Sequence, residues 1–369
     1  MSQIVDDLQE NEDKQVIDES LEDESIVPPV QYDITSFGAD YDVEGLVKRL
    51  DRGDILIPPF QRNYVWKQHE ASRFIESLLL GLPVPAIFLA RESDSNKLLV
   101  IDGQQRLKTL QFFYTGIFNP KEDDKKQQVF KLIKVQPKFE GLTYKTLEEQ
   151  NRIKLNDSLI HAIIVKQESP HDDNTSVYHI FDRLNSEGRR LTPQEIRTAI
   201  DHGKFIDLIK ELNEYESWRS IYGQKNSRLK DQELILRFLG LYFSSDEYEK
   251  PMHEFLNKFS QKQKRKANDT FLIECRKIFT STIDVVRQSI GNKAFRPIAG
   301  INAAVFDSVM VGLARRIKKA PVEDYEKVKK AYDELLTDTE YLRLVSQSTS
   351  DENNISTRLK KATEKFTSI

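Results

Sequence analysis

Leu98-Leu99-Val100-Ile101-Asp102-Gly103-Gln104-Gln105-Arg106-Leu107 is the stretch that decides the fold. Its first four residues form a short buried-strand run. Gly103 punctuates the run, and helical spacing follows through Leu107, Leu110, Gln111 and Tyr114. A glycine at such a point permits a positive φ or a close backbone approach. The helix would then open with backbone N–H groups and partial positive charge aimed over the turn, which suits a phosphate. Arg106 adds a guanidinium fork one turn in, matched to phosphate oxygens. On this reading the Gly103 and Gln104 N–H groups and Arg106 bind phosphate, Gln105 supports the chemistry, and Asp102 holds a magnesium ion or orients water. The structural alternative is a turn in which Asp102 caps the helix and Arg106 pairs with Asp102.

Working outward, Ile57-Pro58-Pro59-Phe60-Gln61-Arg62-Asn63-Tyr64-Val65-Trp66 stands upstream in the same unit. A strand over 55–57 is stopped by the two prolines, which places Gln61 and Arg62 in a loop as a second polar and basic arm. Phe60 and Tyr64 offer an apolar wall for a base, although Tyr64 and Trp66 equally suit core packing. An amphipathic helix is expected over 67–80, closed by Gly81. Strands follow over 83–91 and 97–101, joined as a hairpin through the polar turn at 93–96. Nearer the N-terminus, a strand is expected over 31–37 and a helix over 43–50.

Downstream, 129–135 alternates like a half-buried strand, 146–155 suits a helix, and 159–165 is a strongly apolar strand. A helix from 177 ends near Asn185, an Asn-led turn or a further phosphate contact. Thr192-Pro193-Gln194-Glu195 reads as a helix start: Thr192 as N-cap, Pro193 at the first position, Glu195 closing a capping box. From there to Ile369 helical patterns fill the chain and no strand is expected. Their apolar spacing fits a helical bundle.

The chain has 369 residues, 38% hydrophobic and 31% charged, with a net charge of −4. That describes a rather polar globular protein with room for two domains. The charge is uneven. Residues 1–30 hold ten acids against Lys14, a balance of −9 that leaves +5 on the rest. Such a segment lacks the apolar residues needed to order itself, so it is expected to be a disordered tail. A sharper reading makes it a nucleic-acid mimic over a basic groove. The single Cys275 excludes a disulfide framework, and no apolar run reaches membrane-spanning length. The chain is therefore expected to be cytoplasmic, without a membrane.

Four motifs carry a resemblance to a known family. They are Ile57 to Arg62 with Tyr64 and Trp66, then Leu80-Gly81-Leu82-Pro83-Val84-Pro85, then Ile101 to Arg106, and then Phe181-Asp182-Arg183-Leu184-Asn185 with Gly188 and Leu191. In this order they resemble the N-terminal domain family of GmrSD-type, modification-dependent restriction enzymes. The resemblance implies an α+β fold: a ParB/sulfiredoxin-like nucleotide-binding domain over 31–200, between the acidic tail of 1–30 and an all-α helical domain over 201–369. It implies a nucleoside-triphosphate-binding and NTP-hydrolysing protein, with GTP, CTP or UTP as substrate and Mg2+ as cofactor, in a prokaryotic anti-phage or restriction system. Asp102, Gln105 and Arg106 would be catalytic, with Asp102 also the metal ligand. Gln61, Arg62, Gly103, Gln104, Arg106 and Asn185 would bind nucleotide, and Phe60 and Tyr64 would contact base or DNA.

Two-part members of the family cut DNA with a His-Asn-His nuclease domain. Here His253 is the last histidine, so residues 254–369 lack the general base that chemistry needs. A separate nuclease or effector subunit is therefore the expected partner, alongside nucleotide and DNA, and a homo-oligomer is left open. The alternative, from a different class, is a non-hydrolysing DNA-binding module that senses modified DNA.

Overall fold

In the computed structural model the described residues are 16–17, 33–58, 64–92, 97–120, 127–169, 180, 192–297 and 300–369. They fall into two compact units. One is Gln31–Leu191; the other joins Met1–Val30 to Thr192–Ile369.

The first unit is a mixed α/β layer. Its strands are β2 (Asp33–Asp42), β3 (Ile55–Leu56), β4 (Ile87–Arg91), β5 (Leu98–Asp102) and β6 (Leu159–Ser169). They make a five-stranded sheet in the order β2-β6-β4-β5-β3. β4 and β5 form the expected antiparallel hairpin, β2 and β6 a long antiparallel ribbon, while β3 runs parallel to β5 and β4 parallel to β6. Helices α1 (Val43–Asp51), α2 (Gln68–Leu80), α3 (Gln104–Thr115) and α4 (Glu149–Asn156) accompany them.

Local chemistry sets these boundaries. Asp42 caps α1 by accepting from the Gly45 N–H at 2.6 Å, and Glu70 reaches back to the Lys67 N–H at 2.7 Å. Gly81 ends α2 at φ +75°, in the left-handed region. The core joins Ile87, Leu89, Leu98 and Val100 of the sheet to Phe74 and Ile75 of α2 and to Leu107, Leu110 and Phe113 of α3.

One expected strand is absent. Residues 129–135 hold only an isolated bridge, Ile117 to Val129. Phe130 and Leu132 are buried, which produces the alternation. Their N–H groups bond to the carbonyls of Gly116 and Leu142, so no ladder forms. Alternation records one buried side of a chain, not a neighbouring strand.

Among the described residues the second unit is helical from Thr192 on, apart from one two-residue strand. Its helices are α5 (Pro193–Ile200), α6 (Lys204–Asn213), α7 (Glu216–Tyr222), α8 (Lys230–Ser244), α9 (Met252–Lys266), α10 (Asp269–Ser289), α11 (Ala303–Lys319), α12 (Tyr325–Leu335), α13 (Thr339–Leu344) and α14 (Glu352–Thr367). α11 is buried without a break from Ala303 to Ala314, as a helix enclosed on all sides must be. α14 runs parallel to it. Arg358 lies by Asp307 and Arg315 by Thr363, and a Cβ on Gly312 would sit 2.8 Å from the Ala362 carbonyl carbon.

Two expectations are corrected here. β7 (Ile301–Asn302) is a strand within the region expected to hold none, and its partner β1 (Val16–Ile17) lies inside the segment expected to be a disordered tail. A two-residue strand is too short to show alternation, so neither carries a readable signal. Among the described residues no helix is long and apolar enough to cross a membrane.

Candidate functional site

β5 delivers the chain to Asp102, and Gly103 turns it into α3 at φ +102°, ψ 8°. As N-cap, Gly103 has no side chain of its own with which to cap the helix. The glycine meets two demands at once. Its φ lies where L side chains are strained, and a Cβ there would stand 2.4 Å from Ile87 Cγ2. The turn is thus pressed directly onto β4.

The side chains of Gln105 and Arg106 fasten the neighbouring chain. Gln105 Oε1 accepts from the N–H groups of Val65 (3.0 Å) and Trp66 (3.4 Å). Arg106 donates through Nη1 to the carbonyls of Pro85 (2.7 Å) and Ala86 (2.9 Å), and through Nη2 to Asp102 Oδ2 (2.6 Å). One turn further, Thr109 Oγ1 lies 2.6 Å from the Tyr64 hydroxyl. α3 therefore holds the chain at 64–66 with one hand and the chain at 85–86 with the other. Three separate sequence motifs meet at one corner of the sheet.

The sequence model of the family described as "GmrSD restriction endonuclease, N-terminal domain" matches residues 43–200, a span that contains all of these contacts. Residues 43–200 are a GmrSD-type N-terminal domain. The chain is also similar to an uncharacterized protein of Methanocaldococcus jannaschii, 34% identical over 98 residues. That match covers 20% of this chain and 16% of the other protein's length.

Within the GmrSD-type domain the expected site residues are placed as follows. Asp102 has a side chain 47% exposed, with one oxygen on Arg106. Gly103 and Gln104 occupy the start of α3, and the Gln104 side chain is buried. The Arg106 side chain is only 12% exposed. Its fork is turned onto two carbonyls and a carboxylate rather than out over the turn, the pairing of the structural alternative. Gln105 likewise spends its oxygen on backbone. The base contact expected from Tyr64 is corrected: the ring is a core residue, packed edge-on against Phe112 and Phe118 at 4.9 and 5.7 Å. Burial pushes its phenol up to about 12. Phe60, Gln61, Arg62 and Asn185 lie outside the described residues.

The residues that sequence reasoning missed are acceptors and donors on the backbone: the Pro85 and Ala86 carbonyls and the Val65 and Trp66 N–H groups. Backbone groups leave no signature of their own. The proline spacing in Leu82-Pro83-Val84-Pro85 was the available signal, since chain there cannot join a sheet ladder in the usual way and must satisfy its carbonyls elsewhere.

No group of three or more His, Cys, Asp or Glu that could hold a metal occurs among the described residues. The lone half-exposed Asp102 carboxylate does not make an all-protein metal cage. It does fit magnesium of the kind held by one carboxylate and brought in with substrate phosphates.

The clamp can be tested without knowing a ligand. Arg106→Ala leaves the Pro85 and Ala86 carbonyls and Asp102 without their donor, and should cost about 2 kcal/mol. Arg106→Lys, a point charge in place of a fork, should recover only part. Equilibrium urea denaturation reads both. An Arg106→Ala protein as stable as wild type would mean that the guanidinium holds nothing in place.

Proposed function

We propose that the GmrSD-type domain binds a nucleoside triphosphate over the start of α3 and hydrolyses it, within a prokaryotic restriction or anti-phage system that acts on DNA. The observation that carries this reading is the strand–Gly103–helix turn: a helix that starts at a left-handed glycine beside a half-exposed carboxylate. Such a start favours anions through its N–H groups and its dipole. In this reading Gly103 and Gln104 supply backbone contacts to phosphate, and Asp102 would hold Mg2+. When bound, the ion offsets the negative charge shared by the carboxylate and the phosphates. Gln105 and Arg106 act as positioning residues, fixing the chain at 64–66 and 85–86 around the turn. Gln61, Arg62, Phe60 and Asn185 complete the reading as nucleotide and base contacts on the strength of the family motifs alone. So does the ParB/sulfiredoxin-like description of the domain. The helical unit passes the nucleotide state to a separate nuclease or effector.

One observation favours a second reading. The Gln105 and Arg106 side chains are already engaged within the domain, so the motif's own arginine is turned away from a phosphate over the turn. In this second reading the domain is a non-hydrolysing sensor of nucleotide or modified DNA.

Phosphate release with ATP, GTP, CTP and UTP at saturating magnesium separates the two. Asp102→Asn keeps shape and removes charge. In the enzyme it abolishes magnesium-dependent release while nucleotide affinity stays within about tenfold, or about 1.4 kcal/mol. Equal release from wild type and Asp102→Asn would reject the role given to Asp102. No release from wild type, with nucleotide still bound, would select the sensor.

A further inference from the structure

Arg358 of α14 is a fully buried cation, 0% exposed, in the core of the helical unit. A guanidinium carries five N–H donors and no acceptor. Arg358 makes one hydrogen bond, from Nη1 to the Thr349 carbonyl at 2.6 Å. Its Nε and Nη2 are buried and have no hydrogen-bond partner in the protein. These two atoms belong together. The Nε–H and the neighbouring N–H of Nη2 are the parallel donors along one edge of a guanidinium, the edge that grips an anion in bidentate fashion. A complete anion-binding edge is therefore enclosed among the helices.

The nearby carboxylate does not fill it. Asp307 Oδ2 of α11 lies 3.6 Å from Arg358 Nη2, beyond hydrogen-bond distance. Asp307 is engaged by Arg237 of α8, which reaches Oδ2 through Nη2 at 2.7 Å and both oxygens through Nε at 3.2 and 3.3 Å. Among the described residues no second carboxylate pairs with Arg358. The other groups that act on it electrostatically include the phenols of Tyr341 and Tyr248. Burial pushes both phenols above their ordinary value, so they stay protonated and neutral. Their hydroxyls are also occupied: Tyr248 donates to the Ser350 carbonyl, and Tyr341 lies 2.7 Å from Ser308 Oγ. A buried lysine in such a place would shed its proton, but an arginine does not. Water would satisfy the two donors and leave the charge; an anion answers both.

We propose that the Nε–Nη2 edge of Arg358 binds a small monovalent inorganic anion, of which chloride is the simplest, in the core where α8, α11 and α14 meet. The site belongs to the helical unit alone and is independent of nucleotide chemistry at α3.

The test is urea unfolding of the full chain, followed through the buried Trp218. Chloride replaces gluconate, which is too bulky for a core site, at a constant ionic strength of about 0.2 M. A ligand that binds the folded state alone divides the unfolding constant by 1 + [L]/Kd, so for wild type that constant should fall at least about fivefold between about 2 and about 200 mM chloride. Bromide and nitrate should act likewise. Arg358→Met removes the edge and should abolish the dependence. Arg358→Lys keeps the charge but loses the paired donors, and should weaken it. Anomalous diffraction from wild-type crystals soaked in bromide needs no variant, and should place bromide against Nε and Nη2. An equal chloride response in all three proteins would mean that chloride acts elsewhere and would overturn the proposal. So would wild-type unfolding that ignores chloride, or water rather than bromide on the Arg358 edge.

Discussion

Asp307→Asn is expected to destabilise the helical unit by about 3–5 kcal/mol. Asp307 is fully buried on α11 and takes Arg237 of α8 at 2.7 Å through Nη2, with Nε at 3.2 and 3.3 Å. Arg358 of α14, also fully buried, lies 3.6 Å from the same carboxylate. Two guanidiniums thus share one carboxylate inside a core. Burial pulls the Arg358 guanidinium below its ordinary value. Removing the negative charge would leave two buried cations facing an amide, and an uncompensated buried charge costs several kcal/mol. Against a domain stability of about 5–15 kcal/mol that is a large fraction. Arg358→Met should cost less, because it leaves the close Arg237–Asp307 pair intact and loses chiefly one bond, from Nη1 to the Thr349 carbonyl. Urea denaturation followed by tryptophan fluorescence is suited to this, because Trp218 lies fully buried in that core. An Asp307→Asn protein within about 1 kcal/mol of wild type would show that the asparagine finds other partners and that the charge is dispensable.

That triad had no signature in the sequence. Its members are separated by 70 and 51 positions, and nothing local to any one of them names the other two. What was legible is chemistry completed within a few residues. The Thr192 start is observed as expected: Glu195 N–H donates to Thr192 Oγ1 at 3.2 Å, and Glu195 Oε2 accepts from Thr192 N–H at 2.6 Å. The strand–Gly103–helix turn is likewise local, so β5, the turn and α3 stand where the pattern placed them. Tyr64 shows the limit. Its amphipathic ring suited a ligand wall or a core, and only the positions of Phe112, Phe118 and Thr109 decide for the core. Arg106 shows the same limit from the donor's side. The sequence displays five N–H donors but not the carbonyls that take them, because a carbonyl is present at every residue. Spending the motif's arginine and glutamine on neighbouring loops also changes what the motif is for. Its side chains build the corner, and its backbone and Asp102 are what the corner presents.

Gly103→Ala tests that corner most severely. Two costs arise at one atom. A non-glycine residue at φ +102°, ψ 8° is strained by about 1–3 kcal/mol. The new methyl would stand 2.4 Å from Ile87 Cγ2 and 2.9 Å from Ile87 Cβ, a clash that costs a further 1–3 kcal/mol or so as β4 shifts. Together these should lower stability by about 3–5 kcal/mol. The parts can be separated. Ile87→Ala opens space by removing Cγ2, at the cost of a cavity in the core. Gly103→Ala with Ile87→Ala should therefore be less destabilised than the sum of the single variants, by roughly the clash, with coupling of about 1–2 kcal/mol. Strict additivity would mean that backbone strain alone makes the glycine necessary. A Gly103→Ala protein that melts like wild type would mean that the turn can relax away from β4. The double variant then carries the functional question. If it folds and still binds a nucleoside triphosphate, the start of α3 tolerates a methyl at Gly103 and the ligand contacts lie at Gln104 and beyond. If it folds and binds none, the glycine's second purpose is to let phosphate approach the backbone.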